Sequence, residues 1–171
     1  DGQVPAQEEG VTGYFFSLPS NRFELWAFLE SERFRNPVFR EFYKERDVVF
    51  EERRMRIESS PFGRLLEQFI SIAFMAHPYG SLGIGWPSDL HSFSATDAGK
   101  FFRTYYVPSN MVIAIVGDVS TAEAMPVVEK YFGRLQAGET PPPLRTEEPP
   151  QIAERTAPLI ETSQPIYIEG Y

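Results

Sequence analysis

The sequence predicts an α+β fold in which helices pack on one face of a mixed, mainly antiparallel sheet. Three observations lead there. MVIAIVG at 111–117 is continuously apolar and largely β-branched, as a strand buried on both sides requires. TGYFFSL at 12–18 is a short aromatic-rich strand candidate stopped by Pro19, and QPIYIEGY at 164–171 resembles the opening of a further strand. Between them run segments with apolar residues at three-and-four spacing, the mark of amphipathic helices. Strands alternating with helices place those helices against a sheet. With so few strand candidates the unit is expected to be incomplete.

Taken in order, residues 1–10 are polar, with Gly2, Pro5 and Gly10, and read as a loop. Ser20 or Asn21 is placed to cap a helix over about 21–33, whose Phe23, Leu25, Trp26, Leu29 and Phe34 are the expected core contacts. Pro37 suits the first turn of the next helix, over about 36–58. One line on that helix runs Val38, Phe42, Glu45, Val49, Glu52. The neighbouring line, Phe39, Tyr43, Arg46, Phe50 and Ile57, is interrupted by Arg53. Pro61 and Gly63 mark a break, after which Leu65, Leu66, Phe69, Ile70, Ala73 and Phe74 repeat with helical period up to HPYG at 77–80.

Residues 80–92 read as a long ordered loop anchored by Trp86. Ser94 precedes a helix and has Asp97 three positions on, an aspartate variant of the capping box. Pro108 closes that helix region. After MVIAIVG, GDVS leads into a helix over about 121–132 that stops before Gly133, with Asp118 as its expected cap. The stretch 138–150 is rich in Pro and Glu and reads as an extended linker. The expected division is one α/β unit over 1–150, then a linker and the start of a following strand or second unit over 151–171.

Charge and composition narrow the function classes. Sixteen Lys and Arg against twenty-four Asp and Glu leave a formal charge of −8. That opposes non-specific attraction to nucleic acid or anionic lipid, so neither a nucleic-acid partner nor a membrane span is expected. No apolar run approaches the roughly eighteen residues of a membrane helix. The absence of cysteine excludes thiolate metal sites and thiol nucleophiles. No G-x-S-x-G occurs, and GIGWP at 83–87 lacks the Lys and Ser or Thr of a phosphate loop.

The residues left for chemistry are carboxylates and two histidines. Glu45 and Glu52, seven positions apart, fall within about 20° of one direction on a helix and about 10.5 Å apart along it. They are too far apart to clamp one ion together, and their line with Val38, Phe42 and Val49 implies partial burial. The plain alternative is a charge-rich helix satisfied by Arg40, Arg46, Arg53, Arg54 and Arg56. His77 and His91 flank the Pro and Gly loop, and with a glutamate they offer a local zinc site. The alternative for His77 is a ring donating to a loop carbonyl. Tyr105 and Tyr106 read as packing.

KERDVVFEERRMR at 44–56 resembles the third-ligand helix of the pitrilysin-like or insulinase-like zinc metallopeptidases, the group that includes mitochondrial-processing-peptidase-like proteins. Collinear with it stand YFFSLPSN at 14–21, ESSPFGRLLEQF at 58–69, AHPYG at 76–80, IGWPSDL at 84–90 and FFRTYYVPSNMVIAIVGDV at 101–119, so the resemblance spans nearly the whole chain. It implies that Glu52 is a zinc ligand and that Glu45 is an accessory acidic residue in a catalytic supporting role. The family's H-x-x-E-H histidine motif has no counterpart here. The resemblance therefore implies a truncated fragment of the N-terminal half, a metallopeptidase-like α/β unit over 1–150 that is itself inactive. Zinc would be held in the intact parent, and none by the fragment. The implied partners are a peptide or protein substrate, the remaining N-terminal segment, and a second half or partner subunit, with a homodimer left open. The source is expected to be bacterial, and the compartment, periplasm or cytoplasm, stays open. The rival implied by the same family is a non-catalytic scaffold or partner subunit.

Overall fold

A computed structural model describes residues 4–8 and 10–171, with side chains from residue 10 onward. Strand β1 (Val4–Glu8) pairs with β2 (Val11–Phe15), and Gly10 between them takes φ 86°, which favours glycine. The loop expected over residues 1–10 is thus a strand at 4–8; residues 1–3 and 9 lie outside the described residues. This hairpin is the only sheet among the described residues, so the predicted α+β fold, with helices on one face of a mixed, mainly antiparallel sheet, is corrected to a predominantly helical one.

The reason lies at 111–117. Met111 has extended backbone (φ −122°, ψ 140°), yet no described strand pairs with the segment. Val112 is 96% and Val116 97% exposed. An extended apolar run becomes a strand only when another strand satisfies its N–H and C=O groups. The strand expected at 164–171 likewise does not form, and Tyr167 there is exposed.

The chain divides into two compact units. The first consists chiefly of residues 12–40 and 94–142 and carries α1 (Phe23–Arg35). Two further helices, α5 (Ala95–Tyr105) and α6 (Thr121–Phe132), complete it. Both later helices begin with reciprocal capping boxes, Ser94 with Asp97 and Ser120 with Glu123, which satisfy amide protons of the first turn. Ser120, and not the expected Asp118, is the cap of α6. Helix α1 makes no side-chain cap; Pro19 and the short 3-10 turn Ser20–Arg22 lead into it, so neither Ser20 nor Asn21 plays the expected role.

The face of α1 that turns inward carries Ala27, Glu30 and Ser31, while Leu25 and Leu29 stay half-exposed. Small Ala27 and Ser31 let α6 approach closely, and α6 contributes buried Ala124. Trp26 stacks on Phe23 at 5.6 Å and meets Phe132 at 5.8 Å. Tyr106 stacks on Phe102 at 4.5 Å and on Phe34 at 5.9 Å, and its hydroxyl lies 2.8 Å from that of Tyr14. Burial and that neighbouring hydroxyl push the Tyr14 phenol well above its ordinary range.

The second unit consists chiefly of residues 41–93 and 143–171. It contains α2 (Phe42–Arg53), a single π-helical turn at Arg54–Glu58, α3 (Pro61–Ala73) and α4 (Pro87–Ser92). Helix α2 begins later than expected, because residues 37–41 form no helix and Val38 is exposed. Helix α3 is capped by Ser60, whose hydroxyl accepts from the Gly63 amide at 3.1 Å, and has Pro61 in its first turn. Where α3 crosses the π turn, a Cβ on Gly63 would run into the Arg56 carbonyl oxygen and stand 2.8 Å from the Ile57 Cα. Glycine permits that crossing. Residues 143–171, without regular secondary structure, are anchored along α3. Arg155 donates to the carbonyls of Ile72 and Ala73 at 2.8 and 3.0 Å, and Arg64 forms a two-pronged pair with Glu161.

Candidate functional site

Glu52 lies in the last turn of α2 with its side chain 36% exposed. It lines a shallow groove with Val48, Glu51, Arg54, Met55, Arg56 and Ser59. Its one ion-pair partner among the described residues is Arg56, at 2.8 Å and four residues on, itself mostly exposed. Glu45 stands in the first turn, where a carboxylate suits the positive end of the helix dipole, but it is exposed and has no ion-pair partner among the described residues. Partial burial therefore holds for Glu52 and not for Glu45. Their common helical line survives because both positions lie within α2.

The histidines have other occupations. The His77 Nδ1 accepts from the Tyr79 amide at 3.2 Å, the reverse of the expected donation, and its ring meets that of Tyr79 edge-on at 4.2 Å. His91 packs its ring 4.5 Å from Phe50, and its carbonyl accepts from Arg46. Among the described residues no group of three or more His, Cys, Asp or Glu is placed to hold a metal ion. A catalytic zinc needs three protein ligands and an open position. Glu52, a partly exposed carboxylate held by one arginine, suits one arm of such a donor set. The described residues do not complete it.

Two strongly placed groups escaped the sequence reading. Arg53, which interrupts an apolar line, is the buried residue of α2, 3% exposed. Its guanidinium donates to the Gly85 carbonyl at 2.9 Å and pairs with Glu67 at 2.8 Å. A cation at core spacing, with a carboxylate at core spacing on the following helix, was the available signal. Glu148, inside the expected linker, accepts the consecutive amide protons of Met75, Ala76 and His77 at 2.6, 2.9 and 2.8 Å. Those three backbone bonds pull its carboxyl down to about 2. Nothing in the sequence pattern around Glu148 announces that contact.

The chain is 34% identical over 151 residues to the zinc protease PqqE of Helicobacter pylori, covering 86% of this chain and 34% of that protein. The chain is similar to zinc proteases. A crystal structure of a protease from Helicobacter pylori superposes with a TM-score of 0.82 at 30% identity, covering 86% of this chain and 37% of that one. A probable mitochondrial-processing peptidase subunit beta of Arabidopsis thaliana is 30% identical over 97 residues, 57% of this chain and 18% of that protein. The chain thus spans about a third, or less, of the length of these relatives. Residues 92–168 match the family described as the peptidase M16 inactive domain. That match corrects the expectation of a truncated fragment of the N-terminal half. No helix among the described residues is long and apolar enough to cross a membrane.

Proposed function

We propose that this chain forms part of a zinc-dependent endopeptidase, with Glu52 as one metal ligand and Glu45 as an accessory acid on the same helical line. The observation that carries the reading is the similarity to a zinc protease over 151 residues. The partly exposed carboxylate of Glu52 at the end of α2 supports it. Zinc, when bound, supplies Lewis acidity and a water of lowered pKa. The chain's own residues supply the geometry. Arg56 pairs with the Glu52 carboxylate at 2.8 Å. An exposed pair at this spacing is worth only about 0.3–0.5 kcal/mol, so a stronger cation displaces it at little cost. Glu45, about 10.5 Å away along the helix, is too distant to share that ion and acts on neighbouring groups or substrate. The remaining ligands come from outside these residues, and the 171 residues alone are expected to show no peptidase activity. Similarity to a processing-peptidase subunit supports a peptide substrate and a second half or partner subunit.

A test is Glu52→Gln in the full-length protein. Zinc affinity is expected to fall steeply but measurably and proteolysis to be lost, with the fold retained. Retained zinc and full activity would sink the assignment of Glu52. The match of residues 92–168 to an inactive domain favours a second reading, a non-catalytic partner of the same fold. A full-length protein that holds no zinc and cleaves no peptide, alone or with added metal, would decide for it.

A further inference from the structure

We propose that Arg53 is a positioning residue for Glu52: its buried guanidinium ties the end of α2 to α3 and to the 82–86 loop, and so sets the direction in which the neighbouring carboxylate leaves the helix. The inference rests on reading Glu52 as a metal ligand and names what holds that ligand in place.

Successive side chains on a helix point about 100° apart. A clamp on residue 53 therefore fixes the azimuth of residue 52. The clamp is well built. One guanidinium nitrogen donates to the Gly85 carbonyl at 2.9 Å, and the other reaches both oxygens of Glu67 at 2.8 and 3.0 Å. Glu58 stands 3.5 Å from Nε, which is itself buried without a hydrogen bond. The guanidinium also lies 6.0 Å from the Trp86 ring. Gly85 presents its carbonyl from a turn closed by its amide on Leu82, with φ 81°, a conformation that favours glycine.

Glu52, by contrast, has one ion-pair partner among the described residues, the mostly exposed Arg56. Immediately after Arg53 the helix widens into the π turn, where Ser59 donates to the Arg54 carbonyl at 2.8 Å. Such π-bulges recur at functional sites. Burying a cation is costly unless it is fully paired. Here the pairing spans three separate chain segments, which makes the end of α2 stiff where the proposed ligand sits.

The test is a double-mutant cycle on zinc affinity in the full-length protein, read by competition with a chelator, with the melting temperature followed alongside. Arg53→Lys keeps the charge but loses the planar fork. It is expected to weaken zinc binding by about 10-fold, the scale seen when outer groups that orient a ligand are removed. In a Glu52→Gln background the same change is expected to add no further loss, because it acts through that carboxylate. Equal losses in both backgrounds would mean a general structural role and overturn the proposal. So would undiminished zinc affinity in Arg53→Lys beside a strongly weakened affinity in Glu52→Gln. Should Arg53→Lys fail to fold, Glu67→Gln enters the same cycle, and the same outcomes decide. If Glu52→Gln binds zinc as tightly as the wild type, the ligand assignment fails first and this inference falls with it.

Discussion

Residues 111–117 and 143–171 reverse each other's expectations. The first is a continuous apolar run with the composition of a buried strand, yet Val112 and Val116 are almost fully exposed in its own unit. The second has the composition of a loose linker, yet in its unit it carries Glu148 onto three backbone amides, Arg155 onto the end of α3 and Glu161 onto Arg64. Apolar composition states a capacity for burial and names no partner. Docking of the second segment needs only a few polar atoms to meet unsatisfied backbone groups, and helix α3 offers them, since the last carbonyls of any helix lack partners within it.

That contrast can be broken or sharpened by substitution. The largest effect is expected at Gly63→Ala, which sets a methyl against the Arg56 carbonyl and disturbs the platform on which the second segment docks. Overpacking of this kind costs about 1–3 kcal/mol, read as a lowered denaturant midpoint. An unchanged midpoint would show that the crossing is looser than its geometry.

Glu148→Gln comes next, and its effect depends on pH. The folded carboxyl titrates near 2 against an ordinary 4.5. Its contribution is therefore fully present above the unfolded value and disappears as pH falls from 4.5 towards 2. The substitution should flatten the acid limb of the stability curve in that window; a limb identical to wild type would mean that the carboxylate is not docked in solution. The smallest change is expected from Val112→Ser and Val116→Ser, within about 0.5 kcal/mol, as for other surface positions. A larger loss would reveal that 111–117 is covered in solution.

Much of the helical framework was legible. Ser94 with Asp97, Pro61 with Gly63, and the stop before Gly133 each mark a boundary that forms within one turn of the residues responsible. The cap of α6 was misassigned by two positions, because Asp118 and Ser120 both suit the role and only backbone direction separates them. At the candidate site, the shared line of Glu45 and Glu52 was readable from spacing. The exposure of Glu45 was not, since helical position says which face a residue shares and not what covers that face.

The sequence by itself determined the helices around α3, α5 and α6 and the common line of two carboxylates on α2, because those features depend on residues within a turn or two of one another. Tertiary structure alone decided that Arg53 is buried, that Glu148 docks and that the apolar run at 111–117 stays open. Their partners, or the lack of them, lie far along the chain: Arg53 meets residues 14 and 32 positions away, and Glu148 meets amides more than 70 positions back. Periodicity is a local quantity, and a hydrogen bond or ion pair between distant segments leaves no trace in it.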